Sequence, residues 1–214
     1  MSDPLKQVFA DLNEEAVLKF VQERLEAGED PQAILAACRD GMILVGQRYE
    51  AGEYYVSELI MAGEMFKGVT ALLPSGNAGE TGPSRGKIVF GTVEKDIHNI
   101  GKDLVVSMLR AAGYEVTDLG VDVPAAKFIA AVNETGARIL GLSGLLTIAF
   151  DSMKAVVDAL EAAGLRSRVK VMIGGGSLTE SVLKFTGADA LGLDAQDAVN
   201  FANQWIAEQD AANG

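Results

Sequence analysis

The sequence predicts two parts of different class: an all-α helical bundle with its linker over residues 1–82, then an α/β domain over residues 83–214 built on a five-stranded, doubly wound parallel sheet. Three observations carry this expectation. Apolar residues recur at helical spacing from residue 10 to residue 73, with no strand-like alternation. The stretch "PSGNAGETGPSRG", residues 74–86, has the Gly-, Pro- and Ser-rich composition of a linker. Beyond it, short apolar runs alternate strictly with helical patterns, which implies right-handed crossovers and a sheet covered on both faces.

In order along the chain, Leu12, Val17, Phe20, Val21 and Leu25 fit one helix, which Gly28 ends. Asp30 reads as an N-cap with Pro31 at the first helical position, opening a second helix striped by Ile34, Leu35, Cys38, Met42, Val45 and Tyr49. After the break at "EAGEYY", a third carries Val56, Leu59, Ile60, Phe66, Val69 and Leu72. Glycines inside these helices, Gly41, Gly46, Gly63 and Gly68, each cost roughly 1 kcal/mol against alanine. Tight helix packing explains them more simply than close approach to a ligand, and Met42, Met61 and Met65 read first as core filler. In the second part the strand runs are "KIVFGT", "YEVTDLG", "ARILGLSG", "VKVMIGGG" and "ADALGL", with helices starting near Ile100, Pro124, Phe150, Thr179 and Ala195.

Composition narrows the function classes. A chain of 214 residues that is 49% hydrophobic can build a real core. Its formal charge of −12 argues against a nucleic-acid partner, and no cluster of Lys and Arg stands out in the sequence. An acidic body points instead to solubility and to a basic protein partner. No apolar run is long enough to span a bilayer and "MSDPLKQ" is not a signal segment, so no membrane partner is expected and the cytoplasm is the default. The lone Cys38 excludes an intrachain disulfide and reads as a small buried hydrophobe.

In doubly wound sheets ligands bind beyond the carboxyl ends of the strands, where strand order reverses. For the flavodoxin-like (Rossmann-type) order 2-1-3-4-5 that rule selects the loops "VEKDIHNIG", "SGLLTIA" and "GGGSLT". Several tenants of the fold lack their parts here: no G-x-G-x-x-G dinucleotide turn, no P-loop, no Asp at the end of the third strand where Ser143 stands, and no nucleophile elbow. The first loop holds His98, the only histidine of the chain. A lone histidine more often caps or packs than ligates. Here Asp96, two residues earlier, is placed to accept the imidazole Nδ1–H and leave Nε2 outward as a metal ligand. Gly101 lets the following helix start beneath a flat ligand without a Cβ in the way. One protein ligand is too few for zinc, so a metal held this way arrives inside a macrocycle.

Those residues carry a resemblance. "DIHNIG" resembles the D-x-H-x-x-G motif of cobalamin-binding domains, and "GLSGLLT" followed by "IGGG" resembles the elements that accompany it. "GMILVGQRYEAGEYYVSELIMAGEMF" is similar to the helical cap that precedes the corrinoid domain in methionine synthase and in small corrinoid proteins of methyltransferase systems. The likeness spans about residues 30–200 with the elements in family order.

What the resemblance implies is cobalamin bound base-off with His98 on cobalt, the nucleotide tail lying in a slot lined by Ser143, Leu145, Thr147, Gly174 and Gly175. It implies a cap over the other corrin face, giving Leu59, Ile60 and Gly63 a second reading. No side chain is then catalytic, because cobalt is the nucleophile: Co(I) accepts a methyl group from a donor methyltransferase and delivers it to an acceptor methyltransferase of tetrahydrofolate type. A reductive activase is the third implied partner. The alternative is a corrinoid-dependent sensor without methyl turnover; a mutase subunit and a flavodoxin-like binding protein fit less well. Three positions depart from the family pattern. Ala149 stands where a relay hydroxyl is common, leaving proton traffic from Asp96 to end in water or another group, Lys95 where a glycine is common and Asn99 where an aspartate is common.

Overall fold

A computed structural model describes residues 3–73 and 84–213. The chain divides into two compact units, Met1–Ser84 with Arg110–Gly113 and Arg85–Leu109 with Tyr114–Gly214, and each is described by itself. Most of the stretch read as a linker, residues 74–83, lies outside the described residues.

The first unit is helical throughout: α1 (Pro4–Ala10), α2 (Glu14–Glu26), α3 (Pro31–Glu50) and α4 (Val56–Leu72). Each start has a local cause. Asp3, Asn13 and Asp30 accept hydrogen bonds from the backbone N–H groups of Leu5, Ala16 and Gln32, and Pro4 and Pro31 open α1 and α3. Glu58 reaches back to accept the Tyr55 N–H at 2.8 Å at the head of α4. The expected first helix begins later than its periodicity suggests, because Leu12 sits at φ 57° and breaks the chain between α1 and α2.

Helix α1 itself was not expected, yet Leu5, Phe9 and Ala10 are completely buried. Arg48 of α3 donates to the Ala10 carbonyl at 2.7 Å and fixes the end of α1. Gly41 has its explanation here: a Cβ would lie 2.6 Å from the Phe9 Cβ, so the glycine lets α1 and α3 meet. Met42 and Met65 are core, as expected, whereas Met61 is half-exposed. The stripe expected on α4 is corrected in part: Leu59, Phe66 and Val69 face inward, while Val56, Ile60 and Leu72 lie on the surface. Leu59 and Gly63, given a second reading as ligand contacts, are both buried.

The second unit alternates strand and helix: β1 (Lys87–Thr92), α5 (Ile100–Ala111), β2 (Glu115–Asp118), α6 (Ala125–Thr135), β3 (Ile139–Ser143), α7 (Ala149–Ala162), β4 (Lys170–Gly174), α8 (Glu180–Thr186), β5 (Ala190–Gly192) and α9 (Ala195–Asn213). All pairs are parallel and the order is β2-β1-β3-β4-β5, as the sequence predicts. Near-continuous apolar runs suit strands buried on both faces: Ile88, Val89, Ile139, Leu140, Leu142 and Val171 are inaccessible to solvent. Gly141 sits where a Cβ would overlap the Phe90 ring, so an aromatic on β1 lies across β3. Among the described residues no helix is long and apolar enough to cross a membrane.

Folding overturns one expectation. Arg138, just before β3, and Arg166, Arg168 and Lys170, at the start of β4, line one cavity at the amino-terminal edge of the sheet. Three of these cations stand within five residues of sequence, 166–170, and the parallel pairing of β3 with β4 brings Arg138 to them.

Candidate functional site

At the opposite, carboxyl edge, β1, β3 and β4 end level: Thr92 pairs with Ser143, and Ser143 with Gly174. The loops that leave these three residues therefore emerge side by side, and the first carries His98. Thr92 Oγ1 donates to the His98 carbonyl at 3.0 Å, which ties the loop back to the strand it came from.

Asp96 organises the loop. Its carboxylate is completely buried, whereas the His98 side chain is 48% exposed. Oδ1 accepts the His98 backbone N–H at 3.1 Å and meets the ring Nδ1 at 2.6 Å. Oδ2 accepts two backbone N–H groups of the β3–α7 loop, from Leu145 at 2.6 Å and Leu146 at 3.0 Å. Burial alone would push this carboxyl up, but the donors from Leu146, His98 and Leu145 outweigh it and hold it down at about 2. Asp96 is thus an anion at neutral pH and accepts the proton of Nδ1, so in the neutral imidazole the lone pair that a metal needs lies on Nε2.

All four acceptor directions of the carboxylate are occupied. With every direction taken, the carboxylate is sealed among these donors, and a further partner would have to share an oxygen with one of them. Ala149, where a hydroxyl was looked for, is itself completely buried, and a Cβ at Gly144 would lie only 2.7 Å from its methyl.

A second support comes from the β2–α6 loop. Asp122 Oδ1 accepts the Lys95 N–H at 2.8 Å, and the Asp122 N–H donates to the Asp96 carbonyl at 2.9 Å. Lys95 adopts φ 70°, the left-handed region that glycine enters without strain, which gives the glycine common at this position a backbone reason and leaves the lysine unexplained. Asp122 was not singled out in the sequence; nothing local marks a partner 27 positions away.

The residues expected to line a slot share this edge. Ser143 is half-buried at the end of β3, and Leu145 and Thr147 are exposed beyond it. Gly174 is half-buried, and a Cβ there would meet nothing closer than the Gly192 carbonyl at 3.6 Å. Gly175 has a structural reason to be glycine: it holds φ 150°, and a Cβ would overlap the Gly144 carbonyl. The Ser177 hydroxyl donates to the Leu145 carbonyl and joins the β3–α7 and β4–α8 loops.

Gly101, three residues past the imidazole, opens onto free space, with no atom within 4 Å of where a Cβ would sit. Exposed apolar side chains stand on the loops at the same edge: Ile97, Ile100, Val121, Leu145, Leu146 and Ile148. An exposed apolar group of this kind marks a place where a ligand or partner is buried. Among the described residues no group of three or more His, Cys, Asp or Glu gathers to hold an ion. A single aspartate-held imidazole beside an open glycine and apolar loops suits a metal that brings its other ligands in a flat ring.

A helical unit and a doubly wound sheet, with such an imidazole at the switch point, fit a protein that binds a metal-bearing macrocycle. Comparison with known proteins gives the family. A B12 binding domain model matches residues 86–200, and a second B12 binding domain model matches residues 1–73. The dimethylamine corrinoid protein of Methanosarcina barkeri is 40% identical over 90% of this chain and 89% of its own. A corrinoid protein of Desulfitobacterium hafniense strain Y51 is 37% identical over 94% and 95% of the two chains. Among solved structures, a cobalamin-binding protein from Desulfitobacterium hafniense DCB-2 superposes with a TM-score of 0.72 at 38% identity, covering 94% of this chain and 96% of that one. The methanol:cobalamin methyltransferase complex MtaBC from Methanosarcina barkeri gives 0.78 at 30% identity, covering 95% and 78%. The chain belongs to the B12-binding family of corrinoid proteins, and its cofactor is cobalamin.

Proposed function

We propose that the chain is a methyl carrier that binds cobalamin base-off, with His98 Nε2 as the axial ligand to cobalt. It receives a methyl group with the help of a donor methyltransferase and yields it to an acceptor methyltransferase of tetrahydrofolate type, with a reductive activase as a third partner. The observation that carries this reading is the 2.6 Å contact between the buried Asp96 carboxylate and His98 Nδ1, which selects the Nδ1–H tautomer and leaves Nε2 as the ring atom available to a metal. Relatives named for dimethylamine, and a structural neighbour that is a methanol:cobalamin methyltransferase complex, support small methylated amines and alcohols as the donor class.

Bound cobalt supplies the nucleophilic chemistry of methyl exchange. The chain's own residues bind and orient. Asp96 fixes the imidazole tautomer and raises the basicity of Nε2. Gly101 leaves room for a flat ring, and Ile97 and Ile100 offer it apolar contact. Ser143, Leu145, Thr147, Gly174 and Gly175 lie where an extended tail can pass, with hydroxyl groups to satisfy its polar atoms.

The test is reconstitution with hydroxocobalamin, reduction to Co(II) and electron paramagnetic resonance. The parent protein is expected to show the nitrogen splitting of an imidazole ligand, and His98→Ala to lose it. Identical spectra from the two proteins would overturn the axial assignment. Mixing the holoprotein with a panel of methylamine and methanol methyltransferases and their substrates should change its visible spectrum with at least one member; a spectrum unmoved by the whole panel would overturn the carrier role.

A further inference from the structure

At the end of the sheet opposite His98, the cavity described above occupies about 470 Å³ and is lined by Arg138, Arg166, Arg168, Lys170, Ser167 and Asp189, with Gln209 of α9 at its side. Four cations share one carboxylate there. That carboxylate is already spent: Asp189 Oδ2 accepts the Val171 backbone N–H at 2.7 Å and Arg166 Nη1 at 3.0 Å, while Oδ1 stands 4.0 Å from Lys170 Nζ. Arg166 also donates to the Gly187 and Val169 carbonyls at 2.7 and 3.1 Å, so its guanidinium is a fixed part of the wall. Arg138 and Arg168 are exposed and have no ion-pair partner among the described residues.

We propose that this cavity is a docking site for an acidic segment of a partner protein, one that presents several carboxylates together. Two features select that occupant. On a chain of formal charge −12, a negatively charged partner is repelled over most of the surface, so a concentrated positive spot decides where and in which orientation it approaches. The guanidiniums that are free to bind are solvent-exposed, where a single ion pair contributes little. Useful affinity therefore needs several carboxylates at once, each taken by an arginine fork or by Lys170. A segment seated here leaves the carboxyl edge of the sheet, with His98, open to a second protein at the same time. The site stands independently of the methyl-carrier reading, since no residue in it lies at that edge.

The experiment titrates the full chain, isotopically labelled for amide resonance spectroscopy, with a hexaglutamate peptide. The peptide is expected to shift the resonances of Arg138, Arg166 to Lys170 and Asp189 and to leave those of Asp96 and His98 unmoved. Its affinity should fall about fivefold in Arg138→Ala/Arg168→Ala, as two exposed pairs are lost. It should fall further between about 50 mM and about 500 mM salt, as screening shortens the reach of each charge. Both arginines are exposed, so the variant is expected to keep the parent's circular dichroism and melting temperature. Equal affinity in variant and parent would overturn the proposal, as would shifts centred elsewhere. Inorganic phosphate shifting the same resonances at lower concentration than the peptide would also overturn it, by making the cavity a small-ion site.

Discussion

The backbone N–H of Lys95 donates to Asp122 Oδ1 at 2.8 Å, and both residues hold positive φ, 70° for Lys95 and 53° for Asp122. Two non-glycine residues in left-handed conformation, facing each other across two loops, store strain beside the histidine. Replacing Lys95 by glycine removes its share of that strain while keeping the N–H. The gain exceeds the added freedom of the unfolded chain, so Lys95→Gly is expected to raise stability by about 0.5–1 kcal/mol. Urea unfolding checks this, and a lowered midpoint would contradict it.

Asp96→Asn tests the sealed carboxylate. The amide keeps one acceptor oxygen but turns an NH2 group toward backbone donors, leaving the N–H groups of Leu145 and Leu146, or of His98, without their partner on the buried side chain. A loss of about 2–3 kcal/mol is expected. Hydrogen exchange should accelerate at Leu145 and Leu146 before it does in β1; unchanged protection there would mean that the two loops do not depend on this group.

Lys102 is a buried cation, 2% exposed in its side chain, with Nζ 2.6 Å from both Asp103 Oδ1 and Asp118 Oδ2. It fastens the first turn of α5 to the end of β2. Lys102→Met leaves two neighbouring carboxylates uncompensated, but both retain some contact with water, so the expected loss is about 2 kcal/mol. Adding Asp118→Asn should recover part of it. An unfolding midpoint that does not respond to Lys102→Met would show that the ion cluster adds nothing to stability.

Cys38 is completely buried in α3, and burial pushes its thiol up to about 12. The folded state therefore holds this proton at pH values where the unfolded chain, with a thiol near 8.5, has lost it. Stability is fully present below about pH 8.5 and falls as pH rises toward 12, by about 1.4 kcal/mol per unit from this group. A thiol reagent should label Cys38 at pH 8 only after unfolding. Rapid labelling of the native protein would refute the burial.

The sheet was legible because parallel strands buried on both faces must be written as apolar runs, and "KIVFGT" and "VKVMIGGG" are such runs. Helix α1 was not, because the seven residues of "PLKQVFA" are too short to show a period; Asp3 followed by Pro4 was the signal that could have found it. In the site, Asp96 and His98 were readable as a pair because one loop carries both. The partners on the far side of that pair were not, since two of them are backbone N–H groups of Leu145 and Leu146, which leave no trace in residue identity. Asp122 was hidden for a related reason, since it reaches Lys95 from 27 positions away; of the basic cluster only Arg138 is brought in by strand pairing, while Arg166, Arg168 and Lys170 stand close together in the sequence.

Because the β3–α7 loop grips Asp96 through its main chain, the grip is blind to which side chains stand at positions 145 and 146. Those side chains can drift to suit a different ring substituent or a different partner while the imidazole stays where it is. Proline alone is barred, for it would delete the donor itself. The chain thus separates what it must keep from what it can tailor: the anchor is written in backbone, and the adjustable surface is written in side chains one bond further out.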